Sequence, residues 1–497
     1  MKLCRVPCHY EQIDAALLRE RLASLARARV VIYGAGNFGK LVFNYLTQNG
    51  AEIECFCDQA EEKQAGAYCG KPVISLAALG RDWKDAVVLI AVYGRQAEIG
   101  RTLRELGFAG ASVISALKNV AHTLLIPPEA LPALCAGQGL DIVCAEPARV
   151  NFPAGHKPSI TVYSRIYNTP EAYLRRAVES VLRQTFTDFN FLIVDNGSTD
   201  GSAKILREYA AKDGRITVVT LSANYWETNE RSEEDSANEA KIYHLFTGKY
   251  TCYLDSDDYY EPDFLDLTFA LAEKFGADIV TGASVDYRET DLSVIKVRPD
   301  PVETLVYHGI REIIEMICDY GIYYAMLWGK LYKTSVFLDW RAWATPEEMG
   351  DWFDVYHSYY AYLSSSTVVF MDKLIHCRTQ RYISATYTLS PATKLVQRNI
   401  YVYKRLCQIL VDNDMSTAKN LSAIEWRLFD MGLGFDIELL ERVRDTHPHY
   451  VTETVRAVLS DELMESRKTA ARIRQAVERL RRLAAEAEKQ TAKGINI

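Results

Sequence analysis

Tyr253-Leu-Asp-Ser-Asp-Asp-Tyr259, read together with Ile193-Val-Asp-Asn-Gly-Ser-Thr-Asp-Gly-Ser202, decides the fold. Each stretch is an apolar run that ends abruptly in acidic, Asn, Gly and Ser residues. A buried parallel strand has this form when its carboxyl end opens into a ligand crevice. Three carboxylates at one strand end repel one another unless a cation sits among them. Asp255, Asp257 and Asp258 therefore predict a divalent metal, and hard oxygen ligands point to Mg²⁺ or Mn²⁺. The competing reading is an acidic surface turn before a helix.

Upstream, Ser159-Ile-Thr-Val162 begins a strand that ends in Tyr167-Asn168. An amphipathic helix follows over Glu171–Leu182, with Leu174, Val178, Val181 and Leu182 on one side. Phe189–Val194 is the next strand, and Ser198, Thr199 and Asp200 are each able to cap the helix after it. Gly248–Leu254 leads into the acidic cluster. The strands and helices alternate, as they do in an α/β domain.

A smaller α/β unit precedes this one. Residues 1–28 read as a short helix. Val30-Val-Ile-Tyr33 is a strand, Gly34-Ala-Gly36-Asn-Phe-Gly39 a glycine turn, and Lys40–Gln48 a helix. Strands over Glu52–Cys57, Ala86–Val92 and Ala111–Ile114 complete a doubly wound sheet. The glycines after a strand, with Asp58 about twenty residues beyond, fit a dinucleotide fingerprint. Gly36 lets a pyrophosphate approach the helix N-terminus, and Asp58 is placed to accept a ribose hydroxyl. A purely structural glycine turn is the alternative. The Pro-rich stretch 121–157 reads as a linker with one helix. Beyond residue 387 the pattern turns helical: Ala470, Ile473, Val477, Leu480, Ala484 and Ala487 recur at spacings of three and four. Arginines fill many of the other positions. A solvated face, an anionic lipid surface and a partner helix all suit them.

The motifs Tyr167-Asn168, SVLRQTFTDF (180–189), IVDNGSTDGS (193–202) and YLDSDD (253–258), at these separations, resemble family 2 glycosyltransferases of the GT-A fold. The resemblance is close over 158–290 and looser to Tyr387. It implies transfer of a sugar from a nucleoside diphosphate to an acceptor hydroxyl, with inversion. By the same resemblance Asp257 and Asp258 hold the metal, and Asp255 meets the ribose or the metal. Asp195 and Asn196 meet the nucleoside beside Tyr167. Asp351 is the acceptor base with Asp354 as fallback, and Lys330, Arg378 and Arg381 bind diphosphate oxygens. Asn196, Gly350 and Ser236-Ala-Asn238 depart from the family pattern. VVIYGAGNFGKLVFNYL (30–46) with IECFCDQ (53–59) resembles the small Rossmann-like domains of bacterial sugar-modifying enzymes, which implies a nucleotide-sugar or regulatory pocket. The expected organisation is a Rossmann-like domain (1–120), a linker (121–157), a GT-A domain (158–387) and a helical C-terminal region (388–497).

The chain has 497 residues, 48% of them apolar, so it is long enough for several cored domains. A net charge of −8 argues against a general nucleic-acid binder. Its eleven cysteines lack metal-ligand spacing and read as reduced thiols, with Cys55 and Cys57 expected on opposite faces of their strand. No signal peptide or spanning segment is visible, which places the protein in the cytoplasm, or peripherally at the inner face of the membrane. Its partners would be a nucleotide-sugar donor and a glycan, lipid-linked or protein acceptor. Two other classes remain open: an NAD-dependent sugar-nucleotide oxidoreductase and a non-catalytic sugar-nucleotide-binding module.

Overall fold

The computed structural model describes residues 1–25, 28–64, 66–136, 140–143, 150, 152–153, 155–222, 224, 241–288, 292, 294–298, 303–320, 326–339, 353–379, 407–417, 420–421, 437, 440–441, 444–445, 447–459 and 471–492. Three sheets organise them.

The chain starts as a strand, β1 (Lys2–Ile13), with the helix only at Ala15–Leu25. Residues 1–28 are therefore a strand and a helix where the sequence suggested a helix alone. The first α/β unit follows: β2 (Val30–Tyr33), β3 (Ile53–Cys57), β4 (Ala67–Tyr68), β5 (Lys71–Ile74), β6 (Val87–Ile90) and β7 (Val113–Ser115). Their order, β4-β5-β3-β2-β6-β7, places the switch point between β2 and β6, at their carboxyl ends. The β2 run is apolar throughout because helices cover both of its faces. Cys55 and Cys57 lie in one cluster with Val31 and Tyr33. They share a face, contrary to expectation, because residues two apart on a strand point the same way.

The stretch after β7 turns back. β8 (Leu117–Ile126) pairs antiparallel with β1 from Ile13↔Leu117 to Lys2↔Ile126, and β9 (Asp141–Val143) pairs with β1 on its other side. This ribbon joins two cores. Ile13 and Leu117 pack with the first sheet. Cys4, Val6, Leu124 and Ile126 pack on Tyr259, Val285, Tyr287 and Cys377 of the next domain.

That domain holds a sheet of ten strands among the described residues. They are β10 (Ile160–Ile166), β11 (Phe189–Asp195), β12 (Ile216–Thr220), β13 (Tyr250–Tyr253), β14 (Tyr259–Tyr260), β15 (Ile279–Tyr287), β16 (Val294–Arg298), β17 (Leu305–His308), β18 (Lys330–Lys333) and β19 (Thr367–Thr379). The main path is β12-β11-β10-β13-β18-β15-β19-β14. β10 runs parallel to β11 and β13, and β11 to β12. β18 is antiparallel to both β13 and β15, and β19 runs parallel to β15. The carboxyl ends of β10, β11, β13, β15 and β19 therefore share one edge. This is the GT-A class read from the sequence.

One face of the sheet is covered by helices Glu171–Leu182, Ser202–Ala210 and Phe264–Phe275. The other packs against the C-terminal helices: Val451, Val455, Val477, Leu480 and Leu483 belong to one core cluster with Leu192, Val368 and Phe370. The apolar stripe of helix Ala471–Ala492 is thus spent inside the chain, against Pro448–Leu459 and the sheet. Arg479 of that helix makes a bidentate pair with Glu441, both bonds 2.7 Å. Among the described residues no helix is long and apolar enough to cross a membrane.

Candidate active site

Four of the five strands carry a charged residue at or near the shared edge: Asp195 on β11, Asp255 just after β13, Asp286 near the end of β15 and Arg378 near the end of β19. In the order β11-β10-β13-β18-β15-β19 these residues are spread along one edge, the rim of the site, at about 4.8 Å per strand, with only Asp286 and Arg378 on neighbouring strands. Cross-links between loops hold the rim. Thr169 Oγ1 donates to Ser256 Oγ at 2.7 Å, joining the loops after β10 and β13. Asn168 has a φ of 45°, a left-handed conformation that Asn tolerates. Its amide N–H donates to Ser198 Oγ at 3.1 Å, and its side-chain Oδ1 accepts from the Thr199 amide at 2.8 Å. Asp200 Oδ1 accepts from the Ser202 amide at 2.8 Å, but the N-cap position of the helix is Gly201, so none of Ser198, Thr199 and Asp200 occupies it as the sequence suggested.

Asp195 and Asn196 are buried, at 0% and 1% exposure. Asp195 Oδ1 accepts from the Ser198 amide at 3.0 Å, and Asn196 Nδ2 donates to Asn224 Oδ1 at 2.6 Å. Asp195 Oδ2 and Asn196 Oδ1 have no donor among the described residues. An unmet buried polar atom costs about 1–3 kcal/mol, so two neighbours are an unusual pairing. Tyr167 follows the end of the neighbouring strand β10, whose Ile166 pairs with Asp195, and is half-buried.

The three acidic residues of the 255–258 turn part company. Asp255 and Asp257 are partly exposed, and Asp258 is buried. Asp258 Oδ1 accepts from the Thr379 amide at 2.9 Å, and its Oδ2 lies 3.4 Å from His376 Nε2. Burial, then the neighbouring Asp257 carboxylate, push the Asp258 carboxyl well above its ordinary range. Like charges this close are what a cation between carboxylates would relieve, so the turn fits a divalent ion. Asp255 and Asp257 are the partly exposed carboxylates of the turn. Among the described residues no three His, Cys, Asp or Glu side chains converge as a closed metal site. An open site of this kind would draw its remaining oxygens from a bound ligand.

Arg378 Nη1 lies 3.2 Å from Asp286 Oδ2. Burial works against its charge, but Asp286, then Asp258, and also Asp255, outweigh it and raise its pKa. Arg378 is thus electrostatically part of the rim. Lys330 begins β18 at the same edge, yet it is 1% exposed and its ammonium donates to the Met326 carbonyl, 5.8 Å over the Tyr362 ring. Asp351, Arg381, Gly350, the Ser236-Ala-Asn238 stretch and the aromatic residues Trp340, Trp343 and Trp352 lie outside the described residues. Asp354 is on the first turn of helix Phe353–Leu363.

Three contributors escaped the sequence reading: Asn224, Asp286 and the pair His376–Thr379. Asp286 carried a signal, since Ser284-Val-Asp-Tyr287 is another apolar strand ending in an acid. His376 stacks on Trp328 with ring centroids 4.3 Å apart and takes Ser284 Oγ at 3.2 Å on Nδ1. Nothing local in the sequence announces that arrangement.

In the first domain, Gly34 (φ 116°) makes the turn after β2 and Gly39 lets the helix lie on it. A Cβ at Gly39 would sit 1.9 Å from the Gly34 carbonyl oxygen, whereas one at Gly36 meets nothing within 4 Å. A cavity of about 310 Å³ opens beside the turn, lined by Gly34, Gly36, Asn37, Asp58, Lys63 and Arg95 among others. Asp58 Oδ2 accepts from the Ala35 amide at 2.8 Å and from Lys63 Nζ at 3.0 Å, and Oδ1 from the Ala60 amide at 3.0 Å. Burial opposes its charge, but the Ala60 amide, Lys63 and the Ala35 amide outweigh it and hold the carboxyl below its ordinary range.

Residues 161–339 match the family described as Glycosyl transferase family 2, and residues 26–114 match C2185-like, N-terminal. Residues 161–339 are thus similar to family 2 glycosyltransferases. Glycosyltransferase GlyA of Streptococcus pneumoniae serotype 4 is 27% identical over 222 residues, which cover 44% of this chain and 30% of that protein. An uncharacterized glycosyltransferase of Methanocaldococcus jannaschii, MJ1057, is 36% identical over 118 residues, covering 24% and 38%. The chain thus spans less than half the length of either relative. Among solved structures, S. aureus TarS 1–349 in complex with UDP-GlcNAc aligns at 18% identity with a TM-score of 0.45, over 68% of this chain and 92% of that one.

Proposed function

We propose that this chain transfers a sugar from a nucleoside diphosphate to an acceptor hydroxyl with inversion, in the synthesis of a surface glycan. The carrying observation is the single rim that joins the buried acceptor atoms of Asp195 and Asn196 to Asp255, Asp257 and Arg378. Asp195, Asn196 and Tyr167 hold the nucleoside. Asp255 meets the ribose or a metal, Asp257 the metal, and Arg378 the diphosphate. Asp258, bonded to Thr379, serves by fixing the turn from below. A bound Mn²⁺ or Mg²⁺ would neutralise the leaving diphosphate. Asp351, or Asp354, takes the acceptor proton while the acceptor oxygen forms its bond to the anomeric carbon. The sugar–phosphate bond breaks on the opposite side, and the diphosphate leaves with that electron pair.

The acceptor belongs to a glycan, a lipid carrier or a protein, and the protein works in the cytoplasm or at the inner face of the membrane. The cavity beside Gly36 supports a nucleotide-class ligand in the first domain, with Lys63 and Arg95 at its wall. A ribose hydroxyl would there have to share Asp58 with three donors already in place.

Calorimetric titration of UDP, GDP, dTDP and NAD, with and without Mn²⁺, on wild type and Asp257→Ala tests this reading. Metal-dependent binding of a nucleoside diphosphate, lost in the variant, supports it. Binding of NAD alone, indifferent to metal and variant, moves the function to the first domain and to redox chemistry.

A further inference from the structure

Asn196 can present either its carbonyl or its amino group to a ligand, since an amide carries both an acceptor and donors. The structure resolves which. Asn224, 28 residues on, accepts from Asn196 Nδ2 at 2.6 Å, so the amino end is engaged within the protein and Oδ1 is left without a donor among the described residues. Asp195 Oδ2, one residue earlier, is a second acceptor without a donor among the described residues. Both side chains are at most 1% exposed, so water gives little compensation and the pair favours hydrogen-bond donors over acceptors.

We infer that Asn224 is a positioning residue for donor selection: by holding the Asn196 amide it makes the site choose bases whose ring edge presents an N–H and reject those presenting a ring-nitrogen lone pair. The inference rests on the nucleotide-sugar reading of the same rim. Uracil, thymine and guanine carry such a ring N–H, and cytosine and adenine carry a lone pair there. Against a fixed carbonyl oxygen the latter two place acceptor on acceptor. With the amide free to turn over, its amino group would satisfy them, and the distinction would fade. Sites whose buried polar groups are left unpaired by the wrong ligand discriminate strongly for this reason.

The test uses the full chain with Mn²⁺ and two isosteric pairs, UDP against CDP and GDP against ADP, on wild type, Asn224→Ala and Asn224→Asp. Wild type should favour the N–H member of the pair that it binds by at least about tenfold, within the range that one hydrogen-bond pairing supplies. Asn224→Ala should bring that ratio to within about threefold, with the disfavoured base gaining affinity. Asn224→Asp keeps an acceptor for Asn196 Nδ2 and should restore the ratio, even where added negative charge weakens every nucleotide together. A folding defect would lower all affinities without changing the ratio. Wild type that binds a nucleoside diphosphate without such preference, or Asn224→Ala with the preference intact, overturns the inference alone. Wild type that binds no nucleoside diphosphate overturns the transferase reading and this inference with it.

Discussion

The Thr379 amide donates to Asp258 Oδ1 at 2.9 Å, across 121 residues of sequence, and ties the acidic turn to the last described strand of the sheet. Two carboxylates next to each other in the chain thus have different work: Asp258 anchors and Asp257 faces outward.

Their variants should separate. Asp258→Ala leaves the Thr379 amide without its acceptor and should cost about 1–3 kcal/mol, read as a fall of several degrees in Tm. Asp257→Ala should leave Tm within about 2 °C and abolish the Mn²⁺ dependence of nucleotide binding. Thermal unfolding run beside calorimetry checks both. Equal Tm losses in the two variants would contradict this division of labour.

Glu261 lies under the ribbon. Its Oε1 accepts from the Thr123 amide at 2.8 Å and from Cys377 Sγ at 3.3 Å, and burial pushes its carboxyl up to about 7. The folded value lies above the unfolded one, so its contribution is complete below about pH 4.5 and is lost as pH rises through about 7. Tm should therefore drop between pH 5 and 8. In Glu261→Gln, which keeps the acceptor and cannot ionise, that slope should flatten. A variant slope as steep as wild type would assign the effect to other groups.

The two central glycines of the first domain should respond oppositely. Gly39→Ala drives a methyl against the Gly34 carbonyl and should destabilise the domain by about 2 kcal/mol or more. Gly36→Ala points into open space and should leave Tm unchanged within about 2 °C while weakening any nucleotide held there. Hydrogen exchange of the β2 amides reports the first, titration the second.

Leu480 is 0% exposed between the C-terminal helices and the sheet. Leu480→Ala should cost about 2–5 kcal/mol, lowering Tm of the ten-stranded sheet domain as well as that of the helices. Separate transitions, with only the helical one shifted, would show that the two do not share a core.

Much of this architecture is local and was legible. Helix Glu171–Leu182 repeats apolar residues at its own period, and β2 and β11 are apolar runs stopped by a glycine and by an acid. The ribbon was not. Lys2–Ile13 contains a proline and finds its partner more than a hundred residues away, so no window around it holds the signal. The motif Asp255–Asp258 announced a charged strand end. Which carboxylate turns inward depends on His376 and Thr379, and which end of the Asn196 amide faces out depends on Asn224. The motifs marked which strand ends are polar, whereas side-chain orientation came from partners that only the fold supplies.

The ribbon also constrains how the protein is made. Cys4 and Val6 are buried against residues as distant as Cys377. At about 5–20 residues per second, a ribosome needs roughly 20 to 75 s to deliver that last partner. Over that interval β1 can pair with β8, but the face carrying Cys4 and Val6 still lacks its last partners. Translation speed and nascent-chain chaperones, more than the finished molecule's stability, would then govern the yield of correctly assembled protein.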